Sequence, residues 1–192
     1  MIRDVWWFYT VILGMSFGQV LIELAVAIRN WRWNPTQPPY LPAVLWQVFL
    51  LVLIVEVWLA VTYYRATVLE ISILRLIAFL AVPAGTFVMC FLLPVSGAPR
   101  DDEATPAQNF ERVRPVFFGV LIAIVVINLA HGLAVGELAL DIDLLFQGLI
   151  ILGAVIGLFL RTRRSDVVLA LAMIAVVCAY IGLGYSTVAV DV

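Results

Sequence analysis

Four ionisable side chains lie within long apolar runs of this chain: Glu23, Glu56, Arg75 and His131. The amides Gln19, Gln47, Asn128 and Gln147 lie beside them. An ionisable group at bilayer depth is expensive enough to count as a candidate functional residue. Carboxylates and an imidazole in such places can relay protons or replace the water around a polar solute. Amides and hydroxyls can do the same, or can simply hydrogen-bond one helix to the next.

The spacings sort these residues into groups. Ser16, Gln19, Glu23 and Asn30 recur at intervals of three, four and seven, which places them on one face of a helix. Lipid cannot satisfy such a stripe, so it should face other helices or water. Asn128 and His131 share a face in the same way. Gln47 and Glu56 are nine residues apart, about half a turn out of phase, and so do not line one wall together. Glu56 and Arg75 flank a tight turn between two runs and can pair, either as a functional couple or as a bridge that fixes helix register. His131 is the only histidine. It suits a proton relay or pH sensor, and equally a hydrogen-bonded packing residue.

Enzymatic constellations do not emerge. Gly14-Met15-Ser16-Phe17-Gly18 has the spacing of a nucleophile elbow, but that elbow needs a strand-to-helix turn and this serine sits within a continuous apolar run. All eleven basic residues are arginine, so no lysine is present to form a retinal or pyridoxal Schiff base. One histidine and two cysteines, Cys90 and Cys178, cannot supply four zinc ligands or two haem histidines. No metal and no cofactor are expected.

The elements that must position these groups are membrane spans. Of 192 residues, 65% are hydrophobic and 12% charged, with a mean hydropathy of +1.11. Such a composition leaves too little polar surface for a soluble domain. A net charge of −2 without a basic cluster gives no footprint for nucleic acid. Taking about 20 apolar residues per crossing predicts an all-α, polytopic bundle of six transmembrane helices forming a single domain over 1–192. The spans fall near 5–28, 42–64, 68–94, 115–137, 143–160 and 166–189, with a polar loop at 95–114. Short connections make spans 2 and 3, 4 and 5, and 5 and 6 antiparallel neighbours, and Pro83 predicts a kink in span 3. The start of the chain lacks a cationic leader and a small-residue cleavage site, so it is read as a retained helix.

Orientation follows from arginine. The connections after spans 1, 3 and 5 carry Arg29, Arg32, Arg100, Arg112, Arg114, Arg161, Arg163 and Arg164, against Arg3 and Arg65 on the other side. That bias predicts a multi-pass protein of a cell (inner or plasma) membrane with both termini outside the cytoplasm. Aromatic belts are expected from Trp6, Trp7, Tyr9, Tyr63 and Tyr64 on one side and from Trp31, Trp33, Tyr40 and Trp46 on the other. Gly14/Gly18 and Gly153/Gly157 each place two glycines on one face, where a neighbouring helix or a second copy of the chain could pack. Besides such a homo-oligomer, the expected partners are membrane lipids.

Val20-Leu21-Ile22-Glu23-Leu24-Ala25 aligns with Val125-Val126-Ile127-Asn128-Leu129-Ala130, and Leu45-Trp46-Gln47 with Leu145-Phe146-Gln147. Three spans per half would make the halves inverted, an architecture used by transporters with a midplane site. The functional expectation is therefore a small-solute or ion pathway, with or without proton coupling, past Ser16, Gln19, Glu23, Gln47, Glu56, Arg75, Asn128 and His131. The alternative is a non-transporting membrane subunit, assembly factor or sensor in which these groups only hold helices together.

Overall fold

The computed structural model of the chain describes residues 2–33, 38–65, 73–93, 105–135 and 142–185, and the side chains of all of these except 2–4, 63–65, 74, 75, 134 and 135. Six α-helices account for nearly all of the described backbone: α1 (Ile2–Trp33), α2 (Leu41–Arg65), α3 (Ile73–Leu92), α4 (Pro106–Val135), α5 (Ile142–Phe159) and α6 (Arg163–Gly184). No strand occurs among the described residues. Five of the helices are long and apolar enough to cross a membrane, while the apolar part of α3, Leu76–Leu92, is shorter. The protein is an all-α helical membrane bundle.

α4 begins well before the expected span 4. The polar loop expected over 95–114 is helical from Pro106 onward, because Thr105-Pro106-Ala107-Gln108 forms a capping box. Thr105 Oγ1 accepts from the Gln108 amide at 3.3 Å, and Gln108 Oε1 accepts from the Thr105 amide at 2.8 Å. Pro106 occupies the first helical position, where its missing N–H is harmless. Pro115, expected to bound the span, lies inside α4 instead.

The helices close a ring in the order α1, α2, α6, α5, α4, α3, with α2 and α3 also touching lightly. This order gives the two inverted halves no support. Exchanging α1–α3 with α4–α6 would require α5 against α3 and α6 against α1, and neither is a principal contact among the described residues.

Inside the ring, an aromatic cluster joins α2 to α4. The Trp46 ring stands edge-on to Phe49, Phe117 and Phe118 at centroid distances of 5.2, 5.6 and 4.9 Å, and all four are fully buried. The belt expectation is corrected accordingly. Trp7, Trp31 and Trp33 are exposed as belt residues should be, but Trp46 is core, and Trp6 and Tyr9 pack on Phe79. The Tyr63 and Tyr64 side chains lie outside the described residues. Large apolar side chains such as Ile28, Leu133, Phe159 and Val168 cover the outer surface, which lipid accommodates and water does not.

The two glycine pairs differ in use. A methyl group on Gly153 would collide with the Met173 thioether of α6, and one on Gly157 with the Phe118 ring of α4. That face is therefore occupied within the chain. Around Gly14 and Gly18 there is open space.

Candidate functional site: a polar cavity and a buried ion pair at opposite ends

A partly open cavity of about 330 Å³ lies at the end of the bundle formed by the start of α1 and the end of α6. Every helix contributes to it: Tyr9 from α1, Glu56 from α2, Phe79 from α3, Asn128 and His131 from α4, Asp143, Phe146 and Gln147 from α5, and Tyr180 from α6, with Tyr185 just beyond. Between these stand aliphatic side chains including Leu53, Val57, Leu121, Ile124 and Ile150. The volume is near the lower end of the ~300–1,000 Å³ typical of small-molecule sites, and the mixture of apolar walls with a few polar groups is also typical of them.

Helix phase explains the convergence. Glu56 lies on the inward face of α2 with Leu53 and Val57, and it is only 7% exposed. It faces Asp143 closely enough for the two carboxyl groups to interact electrostatically, and Tyr9 and Tyr185 are also within electrostatic reach of it. Among the described residues Glu56 has no hydrogen-bond or ion-pair partner. Asp143, in the first turn of α5, accepts a short hydrogen bond from the Tyr180 hydroxyl. The Tyr180 ring stacks on Phe146, with centroids 4.1 Å apart and planes 12° from parallel. Gln147 Oε1 is buried there with no hydrogen-bond partner among the described residues.

The second polar centre, at the arginine-rich end, is structural in form. Arg114 of α4 reaches Asp166 of α6 with both terminal nitrogens, at 2.8 Å from Nη1 to Oδ1 and 2.5 Å from Nη2 to Oδ2. Their side chains are 3% and 1% exposed. Nη1 also donates to the carbonyls of Gly157 and Leu160 at 2.9 and 2.5 Å. It thereby satisfies acceptors that α5 leaves open at its C-terminus and places positive charge where the helix dipole favours it. Glu111 accepts from Nη2 at 2.7 Å, and the guanidinium lies over the Phe110 ring at 4.8 Å. The Tyr40 phenol nearby is pushed above its ordinary pKa, first by burial and then by the Asp166 and Glu111 carboxylates. Arg114 and His131 are seventeen positions apart on α4, placing the two centres about 25 Å apart along the bundle.

Of the residues singled out in the sequence, Glu56, Asn128, His131 and Gln147 meet at the cavity. Ser16, Gln19, Glu23 and Gln47 do not border it. Ser16 Oγ donates to the Ile12 carbonyl of its own helix at 2.9 Å, and Gln19 donates to Glu23 one turn on at 3.3 Å. Gln47 donates to the Leu93 carbonyl at the end of α3, at 2.5 Å. Arg75 belongs to α3, but its side chain lies outside the described residues, and so does the expected Glu56–Arg75 contact. Asp143, Tyr180 and Tyr185, and the whole Arg114–Asp166 pair, were not among the sequence candidates. The chain matches no protein-family model, and no curated protein or solved structure matches it.

Proposed function

We propose that the cavity binds a small solute with both apolar and polar parts, and that the protein carries this solute across the membrane. The observation that supports this reading is the convergence of groups from all six helices on one interior space, with a buried carboxyl, Glu56, at its wall that has no hydrogen-bond or ion-pair partner among the described residues. A cavity that every helix lines changes shape when any helix moves, which is what a carrier requires.

The other end supplies a second argument. Beyond the cavity, towards the arginine-rich end, the buried Trp46–Phe117–Phe118 cluster and the Arg114–Asp166 pair fill the interior. In this reading the Trp46–Phe117–Phe118 cluster and the Arg114–Asp166 pair close one side while the cavity faces the other. The open side in this reading faces away from the cytoplasm, which the arginine bias of the loops supports.

The same closure favours one competing reading. A cavity that ends at an aromatic plug also describes a sensor or subunit that binds a ligand from one side and passes nothing through. Purified protein in liposomes separates the two. A carrier exchanges a bound solute across the vesicle wall, and Glu56→Gln reduces that exchange. A protein that binds the solute but exchanges none is a sensor or subunit.

A further inference from the structure

We infer that the solute class is a small organic cation, an amine or quaternary ammonium with an apolar body, held at Glu56. The inference rests on the cavity being a solute site, as proposed above, and adds the chemistry of the occupant. Glu56 is more than nine-tenths buried, borders the cavity, and has no hydrogen-bond or ion-pair partner among the described residues. A second carboxyl, Asp143, faces the same space. A cation between two carboxylates is attracted by both, whereas two like charges left alone in one interior repel each other. An anion there would meet both of them unfavourably.

Aromatic rings add to the recognition. Tyr9, Phe79, Phe146 and Tyr180 line the same cavity as these carboxyl groups, and an aromatic ring attracts a cation over its face, most strongly when both are desolvated. The aliphatic remainder of the wall accepts a hydrocarbon body but cannot replace the hydration shell of a bare metal ion. Among the described residues no group of three His, Cys, Asp or Glu comes together to hold a metal. A permanently charged ammonium with one apolar substituent uses every part of this lining.

The test uses the full chain in lipid nanodiscs and three isosteric probes: benzyltrimethylammonium, neutral neopentylbenzene and anionic phenylmethanesulfonate. Calorimetric titration should show the ammonium binding at least about tenfold more tightly than either isostere. Glu56→Gln should abolish that preference, and Phe79→Leu should weaken ammonium binding several-fold while leaving the neutral probe within about twofold. Glu23→Gln, a carboxylate away from the cavity, should change nothing. Unfolding temperature checks each variant. Should Glu56→Gln fail to fold, the Phe79→Leu comparison and the probe preference of the intact protein decide the matter. Equal or tighter binding of the neutral or anionic isostere overturns the cation assignment but leaves the cavity a solute site. Ammonium affinity undiminished in a folded Glu56→Gln also overturns it. No binding of any probe removes both proposals.

Discussion

The guanidinium of Arg114 and the carboxylate of Asp166 meet fork to fork inside the bundle, with 2.8 and 2.5 Å between paired atoms and both side chains almost wholly shielded. The pair links α4 to α6, helices that are not principal neighbours in the ring. Through the carbonyls of Gly157 and Leu160 it also fixes the end of α5 between them.

Breaking this pair should therefore be severe. Asp166→Asn or Arg114→Met alone leaves a buried charge or its acceptors uncompensated, and each should destabilise the fold by about 3–5 kcal/mol. The double replacement Arg114→Met/Asp166→Leu should lose clearly less than the sum of the single changes. Unfolding in mixed micelles provides the measurement, and additive losses would show that the two residues act independently. Arg114→Lys should behave as a disruptive change, because an ammonium cannot reproduce the fork.

The contact between α4 and α5 makes a separate prediction. Gly157 leaves room for the Phe118 ring, which a Cβ would strike. Gly157→Ala should destabilise by about 1–3 kcal/mol through overpacking, whereas Gly14→Ala, in open space, should be nearly neutral. Equal effects at the two positions in the same unfolding assay would contradict this assignment.

Tyr180→Phe isolates the hydroxyl that donates to Asp143 while preserving the ring stacked on Phe146. Losing a hydrogen bond to a carboxylate should lower stability by about 1.5–3 kcal/mol. It should also change solute affinity, since Asp143 borders the cavity. Binding titrations on Tyr180→Phe and on Gln47→Leu discriminate the sites. Gln47 hydrogen-bonds α2 to the end of α3 away from the cavity, so its replacement should affect stability and leave affinity unaltered.

Much of the bundle was legible in the chain, because run length and the absence of charge dictate spans almost directly. The cavity was half legible. Glu56, Asn128 and His131 stood out as polar residues deep in apolar runs, which is the one signal that lipid makes unambiguous. Asp143 and Tyr180 did not, because an acidic residue at the start of a run reads as an interfacial end and a tyrosine near a span end reads as ordinary amphipathic surface. Arg114 was hidden by a boundary. A span that starts at Pro115 leaves Arg114 in the loop, as cytoplasmic charge. The Thr105–Gln108 capping box, with proline between, carried the information that the helix starts earlier. Conversely, the Ser16–Gln19–Glu23 stripe looked like a pathway wall, yet Ser16 bonds back to the Ile12 carbonyl and Gln19 bonds to Glu23. Helical spacing shows that polar residues share a face, but local bonds within the helix can satisfy them without a partner helix.

Orientation is open to a labelling experiment. With Cys90 and Cys178 replaced by alanine, Asp102→Cys should react with a membrane-impermeant thiol reagent only from the cytoplasmic side, and Val190→Cys only from the opposite side. Reaction of Asp102→Cys from outside would reverse the proposed orientation.

The most direct test of the central claim, a solute-accessible cavity that ends at an aromatic plug, is side-specific modification within the bundle itself. Ala60→Cys places a thiol in the cavity wall, and Leu50→Cys places one in the fully buried core. In sealed vesicles a small, charged, membrane-impermeant methanethiosulfonate should modify Ala60→Cys from the side that exposes Val190→Cys, and a bound solute should slow that reaction. Leu50→Cys should remain unmodified from both sides in the absence of solute. An Ala60→Cys thiol that reacts from neither side, or only from the arginine-rich side, would contradict the account.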